Sequence, residues 1–65
     1  MTFGQRLRHL RERKEWTQGQ LAIKIKVDGE TVHRWEHGIC KPTWERLFKL
    51  CDIFDCSLDY LMGRR

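Results

Sequence analysis

The 65-residue chain has one proline, five glycines and three cysteines, and each scarcity removes a class of protein. No apolar stretch approaches the roughly 18 residues that span a bilayer, and nothing resembles a secretory leader, so a cytoplasmic address is expected. Cys40, Cys51 and Cys56 are odd in number and include no Cys-x-x-Cys pair. They read as reduced thiols rather than a disulfide framework or a four-ligand zinc site, with Cys40 in a loop and the other two at small or apolar helix positions. Sustained apolar–polar alternation bounded by turn residues is missing, which argues against strands. Catalytic signatures are missing too: there is no nucleophile elbow, phosphate-binding loop or metal-protease motif, and His9, His33 and His37 have no evident acid partner. A chain this short buries only about 60% of its unfolded surface, leaving little room for a cleft beside a core. An enzyme, a metal, a cofactor or a small-molecule ligand is therefore not expected.

What remains is a balance of 40% hydrophobic and 34% charged residues, typical of a soluble globular domain. One domain over residues 1–65 is expected, without internal repeat or linker. The net charge of +4 favours a polyanionic partner, though weakly. Arg6, Arg8, Arg11, Arg13 and Lys14 crowd the front, and Lys24, Lys26, Arg34 and Lys41 follow. Interspersed acidic residues make a solvated helical face the competing explanation.

Helical periodicity predicts an all-α architecture of five short helices. Thr2 with Gln5 forms a capping-box signature before a helix to about Lys14, with Phe3, Leu7 and Leu10 on its inner stripe. Thr17 with Gln20 repeats the device, and Leu21, Ala22 and Ile25 face inward. After a turn at Lys26-Val27, Asp28 caps a third helix over Gly29 to Glu36, with Val32 and Trp35 inward. His37-Gly38 ends it. Thr43 caps a fourth helix to about Phe54, whose spacing puts Trp44, Leu47, Leu50, Cys51 and Phe54 on one stripe. Ser57 caps a last helix with Leu58 and Leu61 inward. Trp16, Trp35 and Trp44 read as packing residues rather than base-stacking platforms. The short connector between the second and third helices implies a steep crossing, which the small Ala22 permits, and leaves the third helix protruding.

The stretch TQGQLAIKIKVDGETVHRWEHG resembles the helix-turn-helix of the Cro and phage-repressor class, the xenobiotic-response-element family of regulators. The matching positions are Thr17, Gln18, Leu21, Ala22, Val27, Asp28, Trp35, Glu36 and Gly38. Both flanks match as well, FGQRLRHLRERKEW as a first helix and KPTWERLFKLCDIFDCSLDYLMG as helices four and five. The resemblance implies a compact five-helix bundle with a helix-turn-helix at residues 17–37. It further implies a transcriptional regulator, most naturally a repressor, that reads double-stranded DNA in the major groove as a homodimer on a palindromic operator. Whether such a dimer forms in free solution or only on DNA stays open. Two positions depart from the family pattern. Lys26 stands where the turn usually carries Gly, and Gly29 opens the recognition helix where a polar contact residue is common.

Roles follow once DNA is the partner. Thr17 and Gln18, at a helix N-terminus, are expected to hold phosphate, and the resemblance makes His37 and Lys41 a second phosphate clamp. It also implies an Arg11–Glu36 ion pair. The outward face of the third helix offers Glu30, Thr31, His33 and Arg34 as base readers. Arg34 leads because a guanidinium can fork onto guanine O6 and N7. Glu30 either accepts from a cytosine amino group or pairs with Arg34 four residues on. Thr31 suits a thymine methyl or a phosphate, and His33 reads either way. The competing function is a protein-interaction module of the same fold, antitoxin-like or a co-regulator. Exposed Ile23, Ile53 and Met62 would serve it, or a dimer surface near helices four and five.

Overall fold

In the computed structural model, which describes residues 1–64, the chain forms α1 (Phe3–Arg13), α2 (Gln18–Ile25), α3 (Gly29–Glu36), α4 (Trp44–Phe54) and α5 (Leu58–Leu61). No strand occurs among the described residues. The last residue of the expected 1–65 span, Arg65, lies outside them. Each helix starts the same way. Thr2, Thr17, Asp28, Thr43 and Ser57 adopt extended backbone, and each side chain accepts the amide of the third helical residue. That bond satisfies one of the amides a helix start leaves without a partner. At Thr2 and Thr17 the box is reciprocal, because Gln5 and Gln20 accept the cap residue's own N–H.

The helices also end alike. A residue in the left-handed region follows each one: Glu15 (φ 60), Lys26 (φ 65), Gly38 (φ 73), Asp55 (φ 51) and Gly63 (φ 80). The next amide then reaches back five residues, as Trp16 N–H to Arg11 O (3.2 Å), Val27 to Ala22 (3.0 Å), Ile39 to Arg34 (2.9 Å), Cys56 to Cys51 (3.1 Å) and Arg64 to Asp59 (2.9 Å). This is the Schellman arrangement, which occupies orphan carbonyls and brings the two bonded residues' side chains together. Three of the five left-handed positions are not glycine, Lys26 among them, so the turn between α2 and α3 keeps its usual shape under local backbone strain.

One core joins the helices. Leu7, Leu21, Val32, Leu50 and Leu61 are fully buried, and Phe3, Leu10, Ala22, Ile25, Trp35, Leu47 and Phe54 surround them. The α2–α3 pair packs most extensively. α1 lies across α3 and α5, while α4 supports α2 and α5. Gly4 sets how closely α1 meets the end of α3. A Cβ there would stand 2.9 Å from the Trp35 carbonyl oxygen and would collide with that of Glu36.

Trp44 departs from the inward stripe expected of α4. It is 67% exposed, and Phe48 one turn on is 55% exposed. The buried stripe begins only at Leu47. Trp44, first residue of the helix, projects past the edge of the core and meets Phe48 instead, with ring centroids 6.1 Å apart. Trp35 is buried as expected. Trp16 is half-buried against Phe54 at 5.7 Å, with the Lys24 ammonium 4.7 Å above its ring. Cys51 and Leu58, expected inward, are half-buried. Of the apolar residues expected at the surface, Ile23 is exposed, whereas Ile53 and Met62 pack partly against the core.

Candidate nucleic-acid interface

The local chemistry of α2 and α3 fixes what they present. The Thr17–Gln20 box consumes the Thr17 and Gln20 amides. The Gln18 and Gly19 amides stand outside both bonds, at the positive end of α2. At the start of α3, Asp28 Oδ1 accepts both the amide and the hydroxyl of Thr31, each at 2.9 Å. These bonds hold the Asp28 carboxyl below its ordinary range. Thr31 is therefore half-buried with its hydroxyl committed to its own cap. Gly29 lies beside Gly19, where a Cβ would be in ordinary contact at 3.9 Å, so the first turns of α2 and α3 sit close together.

Behind this surface lies a charged network. Arg11 of α1 donates through Nε to Glu36 Oε2 (2.6 Å), through Nη2 to Glu36 Oε1 (3.1 Å) and through Nη1 to the Trp16 carbonyl (2.7 Å). The forked, two-bond geometry is the strong form of an arginine–carboxylate pair. The side chains are only 11% and 2% exposed. The hydrogen bonds it donates to Glu36 raise the guanidinium's affinity for its proton above the usual value, against the opposing effect of burial. The Arg11–Glu36 pair implied by the resemblance is thus present. A third member was not legible in the sequence: Gln18 Nε2 donates to Glu36 Oε1 at 3.1 Å. Its side chain is oriented by the pair, so α1, α2 and α3 are joined through one carboxylate. The resemblance marks Gln18 as a matching position without showing this contact.

On the outward face of α3, Glu30 and Arg34 are both more than half exposed and form an ion pair at 3.5 Å. Of the two alternatives for Glu30, the pair with Arg34 is present, as a loose contact at the solvent edge that leaves the guanidinium accessible. His33 is half-buried and His37 exposed, their rings 4.2 Å apart. Lys41 is exposed in the loop beyond them. Thr17, Gln18, Glu30, Thr31, His33, Arg34 and His37 therefore all belong to α2, α3 or their caps, with Lys41 on the adjoining loop. Among the described residues no group of three or more His, Cys, Asp or Glu side chains converges to hold a metal ion. No helix among them is long and apolar enough to cross a membrane.

Known proteins resemble this chain in sequence and in fold. The chain is 34% identical over 62 residues to the transcriptional regulator DicA of Escherichia coli K12, covering 95% of this chain and 46% of that regulator. It is 34% identical to the cryptic phage CTXphi transcriptional repressor RstR of Vibrio cholerae, over 98% of this chain and 57% of RstR. The chain spans about half the length of the curated relatives it matches. In three dimensions it superposes on the P22 c2 repressor, solved in complex with a synthetic operator, with a TM-score of 0.93 and 28% identity, covering 100% of this chain and 98% of that one. A family model described as a helix-turn-helix domain matches residues 2–61. By that match and by the fold it takes, the chain belongs to the helix-turn-helix domain family.

Proposed function

We propose that the chain is the DNA-reading part of a cytoplasmic transcriptional regulator, most naturally a repressor, and that it binds double-stranded DNA in a sequence-specific way rather than catalysing a reaction. The observation that carries this is the pairing of an exposed α3 face with the adjoining N-terminus of α2, both locked from behind by Arg11 and Glu36. The likeness to a repressor held on its operator supports it. A major groove about 12 Å wide admits one such helix.

Arg34 is the principal base reader. Its pairing with Glu30 is a loose exposed contact of small value, easily exchanged for guanine. Glu30, Thr31 and His33 flank it. Thr31 offers its methyl rather than its hydroxyl, which is committed to Asp28. The backbone amides after Thr17 and the side chain of Gln18 hold one phosphate, and His37 and Lys41 hold another. Two copies bind a palindromic site through the face carrying Trp44 and Phe48. That exposed aromatic pair beside a small apolar cavity of about 250 Å³ between Phe3, Pro42, Trp44, Leu47 and Met62 supports an association surface. Met62 lines that cavity, whereas Ile53 packs partly against the core.

A salt titration tests the reading. Affinity for duplex DNA should fall linearly on logarithmic axes, with a slope of about −0.9 per phosphate neutralised. A shallow slope with no preference among duplexes would favour the protein-docking alternative instead.

A further inference from the structure

Cys51 and Cys56 take no part in the proposed DNA surface, and the fold brings them together. Asp55 turns left-handed after α4 (φ 51), and the Cys56 amide bonds back to the Cys51 carbonyl at 3.1 Å. That bond is the one which juxtaposes the side chains of the two residues it joins. Both thiols are half-buried at the edge of the core and open in part to solvent, and they lie close enough for each to influence the other's proton affinity. The same geometry recurs at every helix end in the molecule, but only here do both positions carry sulfur. Cys40 lies apart on the loop between α3 and α4 and is exposed.

We propose that Cys51 and Cys56 form a redox modification site, a dithiol that low-molecular-weight disulfides convert to an intramolecular bridge stapling the end of α4 to the start of α5. The reaction runs in two exchanges. The Cys51 thiolate attacks one sulfur of the external disulfide, a Cys51 mixed disulfide forms, and one external thiolate leaves and takes up a proton. Cys56 then loses its proton to solvent, its thiolate attacks the Cys51 sulfur, the Cys51–Cys56 bond forms, and the second external thiolate departs. The protein dithiol is oxidised by two electrons and the external disulfide is reduced to two thiols. Burial pushes both thiols above their ordinary range, so oxidation accelerates as the pH rises.

The test is oxidation of the full chain by oxidised glutathione at about pH 8, followed by alkylation of remaining thiols and mass spectrometry. The expected product is monomeric, has lost the two thiol hydrogens of Cys51 and Cys56, and carries at Cys40 either one alkyl group or one glutathione. Cleavage before Asp52 and Asp55 should leave the Cys51 and Cys56 fragments joined. In Cys56→Ser the Cys51–glutathione mixed disulfide should accumulate, and Cys40→Ser should bridge as the parent does. Three alkylated thiols, separate glutathione adducts on Cys51 and Cys56, or bridges through Cys40 alone would overturn the proposal. These readouts do not involve DNA, so they stand or fall apart from the regulator reading.

Discussion

Lys26 holds a left-handed backbone (φ 65) between α2 and α3, a conformation that costs a side-chain-bearing residue about 1 kcal/mol relative to glycine. Lys26→Gly should therefore raise stability by up to about 1 kcal/mol, offset in part by the looser unfolded chain. Thermal or urea denaturation measures it, and an unchanged or lower midpoint would contradict the strain. Gly4 predicts the reverse. Gly4→Ala drives a methyl into the Trp35 and Glu36 carbonyls, so the melting temperature should fall despite alanine's better helix propensity. Asp28 makes stability depend on acid. Its folded carboxyl titrates below the ordinary value of 3.8, so its contribution is complete above that value and vanishes as the pH falls through the lower folded one. Asp28→Asn keeps an acceptor for the Thr31 amide but does not titrate, and its acid limb should be shallower than the parent's. Equal acid limbs would contradict the assignment.

Elements are held in register by one carboxylate. Glu36→Ala strands the Arg11 guanidinium and frees Gln18, and breaking a buried pair in this way costs about 3–5 kcal/mol. For so small a core that loss should leave much of the chain unfolded at room temperature, read by circular dichroism. An unchanged melting temperature would exclude a structural role for the pair. Gln18→Ala should weaken binding to every duplex alike and also lower stability modestly, since Gln18 serves Glu36 as well as the proposed phosphate. The helices themselves were legible in the sequence, because Thr2, Thr17, Asp28, Thr43 and Ser57 are local caps and the apolar stripes repeat at the helical period. Legibility failed where a side chain's fate depends on a neighbouring element. Trp44 fits the stripe of α4, yet no other helix covers its first turn. Gln18 and Gly4 meet Glu36 across a separation of many residues, which no local pattern encodes.

At the scale of the whole molecule, an apolar face at Trp44 and Phe48 and a polar reading face at α3 divide the proposed labour between association and recognition. Trp44→Ala should leave the fold intact, because the ring contributes little to the core, and should weaken self-association on DNA. Sedimentation of the complex with a duplex carrying two half-sites measures this, and unaltered stoichiometry would place the dimer surface elsewhere. Arg34→Ala should relax discrimination by about 1–3 kcal/mol at one base step while sparing the rest of the site. Its effect is separable from that of Glu36, whose loss acts through the fold. The central claim is that α3 reads base sequence in duplex DNA, and selection of bound sequences from a random duplex pool tests it most directly. The account predicts enrichment of a palindrome whose half-sites lie about one helical turn apart, and a pool that stays random through successive rounds would contradict it.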